Sequence, residues 1–354
     1  MPNKPSKVFL DLDMLLFEAA SAGEKVQYDY LDPTGKVVAT FDSAEKSKSW
    51  LEEFKSFGVD FEHNCECDPE ELTRSDAYYV DKGIEHCYKA FDSKLKALLD
   101  DIKIEDWKGY VSAASGIENF RYSIATLFKY KGERGKSHKP IHLEATRKYA
   151  VKNPNITAPK IAFEVDDLVN AMALKYGENG MVYAQDKDCQ GITGAWFYCP
   201  TNYDEPIYSD PSVVGKLELR GDGKVIGWGT LFWLWQCLAS DPVDNIKGCN
   251  KIGAKKAYKM LLPFSEQPAS KLPEALVVVA KAFKKEYGEE YKYNHCYTGE
   301  EMVVNWYDVM KENLGLVMML ANQNDSVEKS ILKYLDKGEV NESNGESVTD
   351  KEVQ

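Results

Sequence analysis

Two short apolar runs, VFLDLD at residues 8 to 13 and MVYAQD at 181 to 186, each terminate in carboxylates. Runs of this kind, apolar at consecutive rather than alternate positions, suit strands covered on both faces, which are the strands of parallel sheets. Helical periodicity separates them: 43 to 57, 84 to 102, 119 to 130 with Phe120, Ile124, Leu127 and Phe128 on one face, and Glu164 to Tyr176. A further strand is expected at GYVSAAS, 109 to 115, and the alternation predicts an α/β fold with a mostly parallel central sheet flanked by helices. VQYDYLDPTGKVVATF, 26 to 41, reads as a hairpin turning at Asp32, Pro33, Thr34 and Gly35. After a second hairpin-like stretch the chain from about 229 is expected to be helical, including 268 to 287 and 300 to 321.

The 354 residues are enough for about two domains. The expected division is an α/β domain over 1–228, a helical region over 229–336 and an acidic, disordered tail over 337–354, where little can be buried. With 12% aromatic residues the chain as a whole is too rich in core formers for a disordered protein. The longest apolar run, Gly229 to Ala239, is far short of the roughly 20 residues of a membrane span. The start, MPNKPSKVFLDLD, reaches a carboxylate before an apolar core can form, so a cytoplasmic protein is expected. Cys65 and Cys67, with His63 nearby and His86 and Cys87 further on, are spaced too tightly for the usual zinc pattern; a polar loop with reduced thiols is the simpler reading.

A net charge of −13 excludes a polycation that coats nucleic acid nonspecifically. The charge is unevenly spread. Between Arg121 and Lys139 six basic residues stand against one acid, a local +5 inside an acidic chain, which suits a polyanion held in one place.

Acidic groups recur where strands end or helices begin: Asp11 and Asp13; Glu164, Asp166 and Asp167; Asp186 and Asp188; Asp241 and Asp244. Each alone has an ordinary explanation as a helix-start or turn residue. Together they point elsewhere, because residues just beyond the carboxyl ends of neighbouring parallel strands converge on one crevice. Carboxylates gathered there repel one another unless cations are bound, and oxygen ligands without a His or Cys cluster favour Mg²⁺ or Mn²⁺. Two such ions about 4 Å apart can activate water and stabilise the leaving oxygen of a phosphodiester. A metal-dependent nuclease is the class these residues suggest. The segment DNIKGCNKIGAKKAYK, 244 to 259, adds a glycine-flanked turn before a helix, with Gly248 and Gly253 ringed by Lys247, Lys251, Lys255, Lys256 and Lys259, a pattern able to hold phosphates. It is not a P-loop, since Ala254 intervenes after Gly253 and Lys256 stands at the hydroxyl position.

In order along the chain, LDLD (10–13), NFRYSIATLFKYKGERGKSHKP (119–140), FEVDDLVNAMA (163–173), AQDKDCQ (184–190) and SDPVDNIKGCNKIGAKKA (240–257) resemble the motifs of the 5′ nuclease superfamily of flap endonucleases and 5′-to-3′ exonucleases, most closely those of tailed bacteriophages. The likeness threads residues 8 to about 262. It implies a PIN-like α/β fold with a helix-three-turn-helix, and an enzyme hydrolysing duplex or flapped DNA, or an RNA:DNA hybrid, near a 5′ terminus in replication, primer removal or recombination. It further implies that Asp11, Glu164, Asp166, Asp167, Asp186, Asp188, Asp241 and Asp244 hold two Mg²⁺ ions, replaceable by Mn²⁺, with Asp13 as an extra candidate. Lys131, Arg134 and Arg121 would serve the scissile phosphate. Lys136, Lys139, Lys247, Gly248, Lys251, Gly253, Lys255 and Lys256 would contact DNA, with K⁺ assisting at the turn. One departure stands out: many relatives carry an acid after the strand that here reads VSAASGIENFR, whereas 111 to 117 hold none and Glu118 is the nearest. A non-catalytic DNA-binding relative is therefore the alternative from another class; a PIN-type ribonuclease would lack the 240 to 257 segment.

Overall fold

The computed structural model describes residues 4–57, 67–113, 119–132, 138–160, 162–322, 324–336 and 340. The chain forms two compact units. One is drawn from residues 1–14, 103–137 and 154–354, the other from 15–102 and 138–153. The division thus falls elsewhere than the expected boundary after residue 228: the helices beyond 229 belong to the same unit as the parallel sheet, and the second unit is inserted after the first strand.

In the first unit a six-stranded sheet runs, from edge to edge, Ile207–Tyr208, Trp196–Tyr198, Gly180–Tyr183, Lys7–Asp11, Asp106–Tyr110 and Ile156–Thr157. All pairings are parallel except that of Ile207–Tyr208 with Trp196–Tyr198. Val8, Phe9 and Leu10 are wholly buried, as a central strand flanked on both edges demands. In register, Asp11 lies beside Tyr110 and Leu10 beside Tyr183, so the carboxyl ends of three strands open at one level. Helix Val165–Tyr176 packs Val165, Val169 and Ala173 against Phe9, Val182 and Phe197.

Helix Thr230–Ala239 is buried all round from Leu231 to Ala239 and forms the axis of a second core. Helices Ala254–Leu261, Leu272–Tyr287 and Trp306–Val317 pack around it. No helix among the described residues is long and apolar enough to cross a membrane.

Three local expectations are corrected. The strand expected over 109–115 is Asp106–Tyr110. The helix expected over 119–130 stops at Ile124, because Ala125 turns extended and the chain beyond it is held from outside: Glu312 accepts the N–H groups of Thr126 and Leu127, and Tyr297 Oη accepts that of Tyr130. The helix expected over 300–321 begins only at Trp306, since Glu301–Val304 has the two-residue alternation of a strand and pairs antiparallel with Tyr291–Asn294.

The second unit is an antiparallel sheet with helices. Strand Glu24–Leu31 pairs with Val37–Phe41, Thr73–Arg74 and Tyr78–Asp81, and the connecting turn is closed by Asp32, whose Oδ1 accepts the N–H groups of Thr34 and Lys36. Tyr30, Ala39, Phe41, Trp50 and Phe54 make its core. Helices Ala44–Phe57, Ile84–Ile102 and Leu143–Ala150 complete it.

Candidate metal centre

The site is built at the carboxyl ends of the central strands. Asp11 is the last residue of its strand, Asp166 lies in the first turn of helix Val165–Tyr176, and Asp186 follows Gly180–Tyr183 and caps the short helix Lys187–Gly191 by accepting Asp188 N–H at 3.1 Å. Asp11 is fixed the same way, accepting Asp13 N–H at 2.9 Å. These three carboxyl groups crowd one another. Burial, then the neighbouring Asp13, raises the Asp11 carboxyl to about 7; burial and Asp11 push Asp166 well above the usual range; burial and Asp188 raise Asp186 to about 6.

Asp13 belongs to the same end of the sheet. Ser112 donates to it from both its backbone N–H, at 2.7 Å, and its hydroxyl, so a carboxylate stands beside the end of strand Asp106–Tyr110 although residues 111 to 113 supply none. Glu118 lies outside the described residues, as do Arg134, Lys136, His63, Cys65 and the tail over 341–354.

Glu164 and Asp244 converge from opposite sides on the segment that holds Tyr130 and Lys131. Tyr130 Oη donates to Glu164 Oε2 at 3.1 Å and to Asp244 Oδ2 at 3.0 Å, and Lys131 Nζ pairs with Glu164 and lies 3.9 Å from Asp244 Oδ2. Lys131 adopts a left-handed backbone (φ 52°), and its N–H donates to Asp244 O. Burial opposes the Glu164 charge, but Arg121 and Lys131 bring its carboxyl below the usual range. Asp241 and Asp188 share Lys187, at 2.5 and 3.1 Å.

Two residues are engaged otherwise than expected. Arg121 is completely buried and bidentate with Asp167, its Nη1 at 2.6 Å and Nη2 at 2.8 Å from the two carboxylate oxygens, and it donates also to the carbonyls of Leu316 and Met318. It therefore cannot reach a phosphate. Asp167 accepts the N–H groups of Glu164 and Leu320 besides, which leaves no oxygen for an ion.

The turn after helix Thr230–Ala239 is built from within. Gly248 has φ 58°, and a Cβ there would lie 2.6 Å from Leu238 O and 2.8 Å from Cys237 O. Its N–H donates to Asn313 Oδ1 and its carbonyl accepts from Tyr287 Oη, so the amide expected to be free for a phosphate is already used. The cations around it do face outward. Lys247, over the Phe128 ring, Lys251, Lys255 and Lys256 are exposed, as is Gly253, which begins helix Ala254–Leu261. Lys139 is exposed in the other unit.

Among the described residues no three His, Cys, Asp or Glu side chains are already disposed around one ion position. The reason is visible: Lys131, Arg121 and Lys187 draw Glu164, Asp167, Asp188 and Asp241 toward themselves. The remaining trio, Asp11, Asp166 and Asp186, nevertheless fits a hard divalent cation. Its donors are all oxygen, its carboxyl groups repel, and Asp166 Oδ1 is buried with no hydrogen-bond partner.

A carboxyl group whose pKa is raised on folding binds protons more tightly folded than unfolded, so its contribution to stability falls as pH rises between the two values. For Asp11 that window runs from about 4 to about 7. In EDTA, Asp11→Asn should gain stability relative to wild type across this window, and the Tm increase produced by Mg²⁺ in wild type should grow as pH rises through it. Thermal unfolding at stepped pH would refute the crowding if the wild-type and variant curves stayed parallel.

Sequence reasoning missed Tyr130, Lys187 and Ser112. Tyr130 and Lys187 lie within motifs already marked, next to Lys131 and between Asp186 and Asp188; for Ser112 no local signal exists.

No family model and no curated protein matches the sequence. Among solved structures, the chain is similar to the 5′-exonuclease of bacteriophage T5 with bound zinc, at 15% identity and TM-score 0.40 over 65% of this chain and 80% of that one. It is similar also to the bacteriophage T5 flap endonuclease in a pseudo-enzyme–product complex with DNA and metal ions, at 13% identity and TM-score 0.42 over 70% and 90%. Function therefore rests on the residues of the site.

Proposed function

We propose that this chain is a divalent-metal-dependent 5′ nuclease that hydrolyses phosphodiesters of duplex or flapped DNA, or of an RNA:DNA hybrid, near a 5′ terminus. The observation that carries the reading is the convergence of Asp11, Asp166 and Asp186, from three separate segments, into one buried and mutually repelling cluster at the strand ends. Mg²⁺, or Mn²⁺ in its place, held there with Asp188, Asp241 and Asp244 as further ligands, would supply an activated water and neutralise the leaving oxygen. The chain's own residues do the rest. Lys131 brings a positive charge to the rim, where it can meet a phosphate once Glu164 turns toward an ion. Until then the Tyr130 hydroxyl bridges Glu164 and Asp244. The exposed lysines 247, 251, 255 and 256 supply a sequence-independent grip on the duplex backbone, with K⁺ a candidate aid at that turn.

End-labelled duplex, flap and RNA-primed substrates, each incubated with and without Mg²⁺, test the reading directly. Cleavage confined to Mg²⁺ and dependent on a 5′ end is expected; cleavage undiminished in EDTA would overturn it. Binding should follow counterion release. Lys255→Ala with Lys256→Ala is expected to weaken duplex affinity alike for all sequences and to reduce the slope of log K against log salt by about 1 to 2. A salt titration by fluorescence anisotropy with an unchanged slope would show that these lysines face only solvent.

A further inference from the structure

The acids of the site are divided in their cations. Lys187 Nζ lies 2.5 Å from Asp241 Oδ2 and 3.1 Å from Asp188 Oδ1. Asp241 is otherwise satisfied by Val243 N–H, at 3.0 Å from Oδ1, and Asp188 Oδ1 by Gln236 Nε2 at 2.7 Å. The two carboxylates thus share one positive group, held by hydrogen bonds to both. At Asp11, Asp166 and Asp186 the balance is different, although the neighbouring Lys187 charge also acts on Asp186. Among the described residues no lysine or arginine forms an ion pair with Asp11, Asp166 or Asp186, and Asp166 Oδ1 has no partner at all.

We infer that the Lys187 ammonium occupies one of the two cation positions of this site, so that the chain takes up one divalent ion at Asp11, Asp166 and Asp186 and a second only by displacing Lys187 from Asp241 and Asp188. This deepens the nuclease reading and rests on it. The exchange is physically simple. An ammonium and a hard dication compete for the same carboxylate oxygens, the first by hydrogen bonds and the second by coordination. The lysine arm is flexible and its side chain one-third exposed, at 34%, so it has solvent to swing into. Asp241 and Asp188 keep their backbone and glutamine donors when it leaves, so the second position stays shaped. Lys187 is on this account a positioning residue: it offsets part of the negative charge at the second position until metal concentration is high enough to replace it, and it sets the separation between first and second metal affinities.

Calorimetric titration of the full chain with Mn²⁺ tests this without any cleavage readout. Wild type should show a tight and a weak event; Lys187→Met should strengthen the weak event at least about tenfold, and Lys187→Arg, which keeps the charge, should not. Equal second-site affinity in Lys187→Met and wild type would overturn the inference and leave the nuclease reading standing. No Mn²⁺ binding by wild type would overturn both. Should Lys187→Met fail to fold, wild-type crystals grown at low and high Mn²⁺ decide the matter. One anomalous peak beside Asp166 at low concentration, and a second at high concentration with Lys187 turned away from Asp241, is expected. A second peak with the Lys187–Asp241 pair intact would refute it.

Discussion

Asp186→Asn combined with Asp188→Asn is expected to abolish cleavage while duplex binding and the fold survive. Asparagine keeps the shape of both side chains, and at position 186 its amide oxygen can still accept the backbone N–H of position 188, the hydrogen bond that caps the short helix Lys187–Gly191. What is lost is charge. Two carboxylates leave the cluster, one from the crowded trio and one from the Lys187 pair, and a divalent ion loses anionic ligands at both positions. Metal-assisted charge stabilisation contributes several kcal/mol, and about 4 kcal/mol corresponds to roughly a thousandfold in rate. Single-turnover cleavage at saturating Mg²⁺ should therefore fall by about that factor or more, with the anisotropy-measured Kd for duplex unchanged or tightened by the lower negative charge. Undiminished turnover in the double variant would remove the metal assignment altogether.

The second large effect concerns stability rather than chemistry. Arg121→Met is expected to destabilise the chain by about 3 to 5 kcal/mol, because it strands Asp167 as an uncompensated buried charge. Arg121 and Asp167 are 0% and 1% exposed, and the guanidinium also satisfies the carbonyls of Leu316 and Met318. Replacing both partners, Arg121→Met with Asp167→Leu, should recover a large part of the loss, since removing a buried pair together costs far less than removing one member. Urea denaturation midpoints at constant m-value measure both. If Arg121→Met were as stable as wild type and only cleavage fell, Arg121 would belong to the substrate and not to the fold.

Much of this architecture is legible along the chain because its signals are local. Val8, Phe9 and Leu10 are apolar in succession, and a strand with that pattern has to be covered on both faces; it is the central one. Asp32 to Gly35 carries the chemistry of a tight turn and makes one. The apolar face of 84 to 102 is a helix, Ile84–Ile102. The reading slips where two periods compete: GEEMVV at 299 to 304 precedes a true helix, and its strand form is decided by pairing with Tyr291–Asn294. The helix after Asn119 is cut at Ile124 by Glu312, a partner 186 residues away, which takes up the N–H of Thr126.

Where acids leave the strands is written locally: Asp11, Asp166 and Asp186 sit next to apolar runs or at a helix start, and a parallel sheet brings such ends together. Which cation each acid keeps is set by long-range packing. Asp167 goes to Arg121, 46 positions away, and Asp241 to Lys187, 54 positions away, and the Gly248 amide goes to Asn313, 65 positions away. Burial pattern and turn chemistry are properties of neighbouring residues and can be read in order. An ion pair or a buried hydrogen bond is won by whichever partner packing brings within about 3 Å, and nothing in the local sequence records that distance.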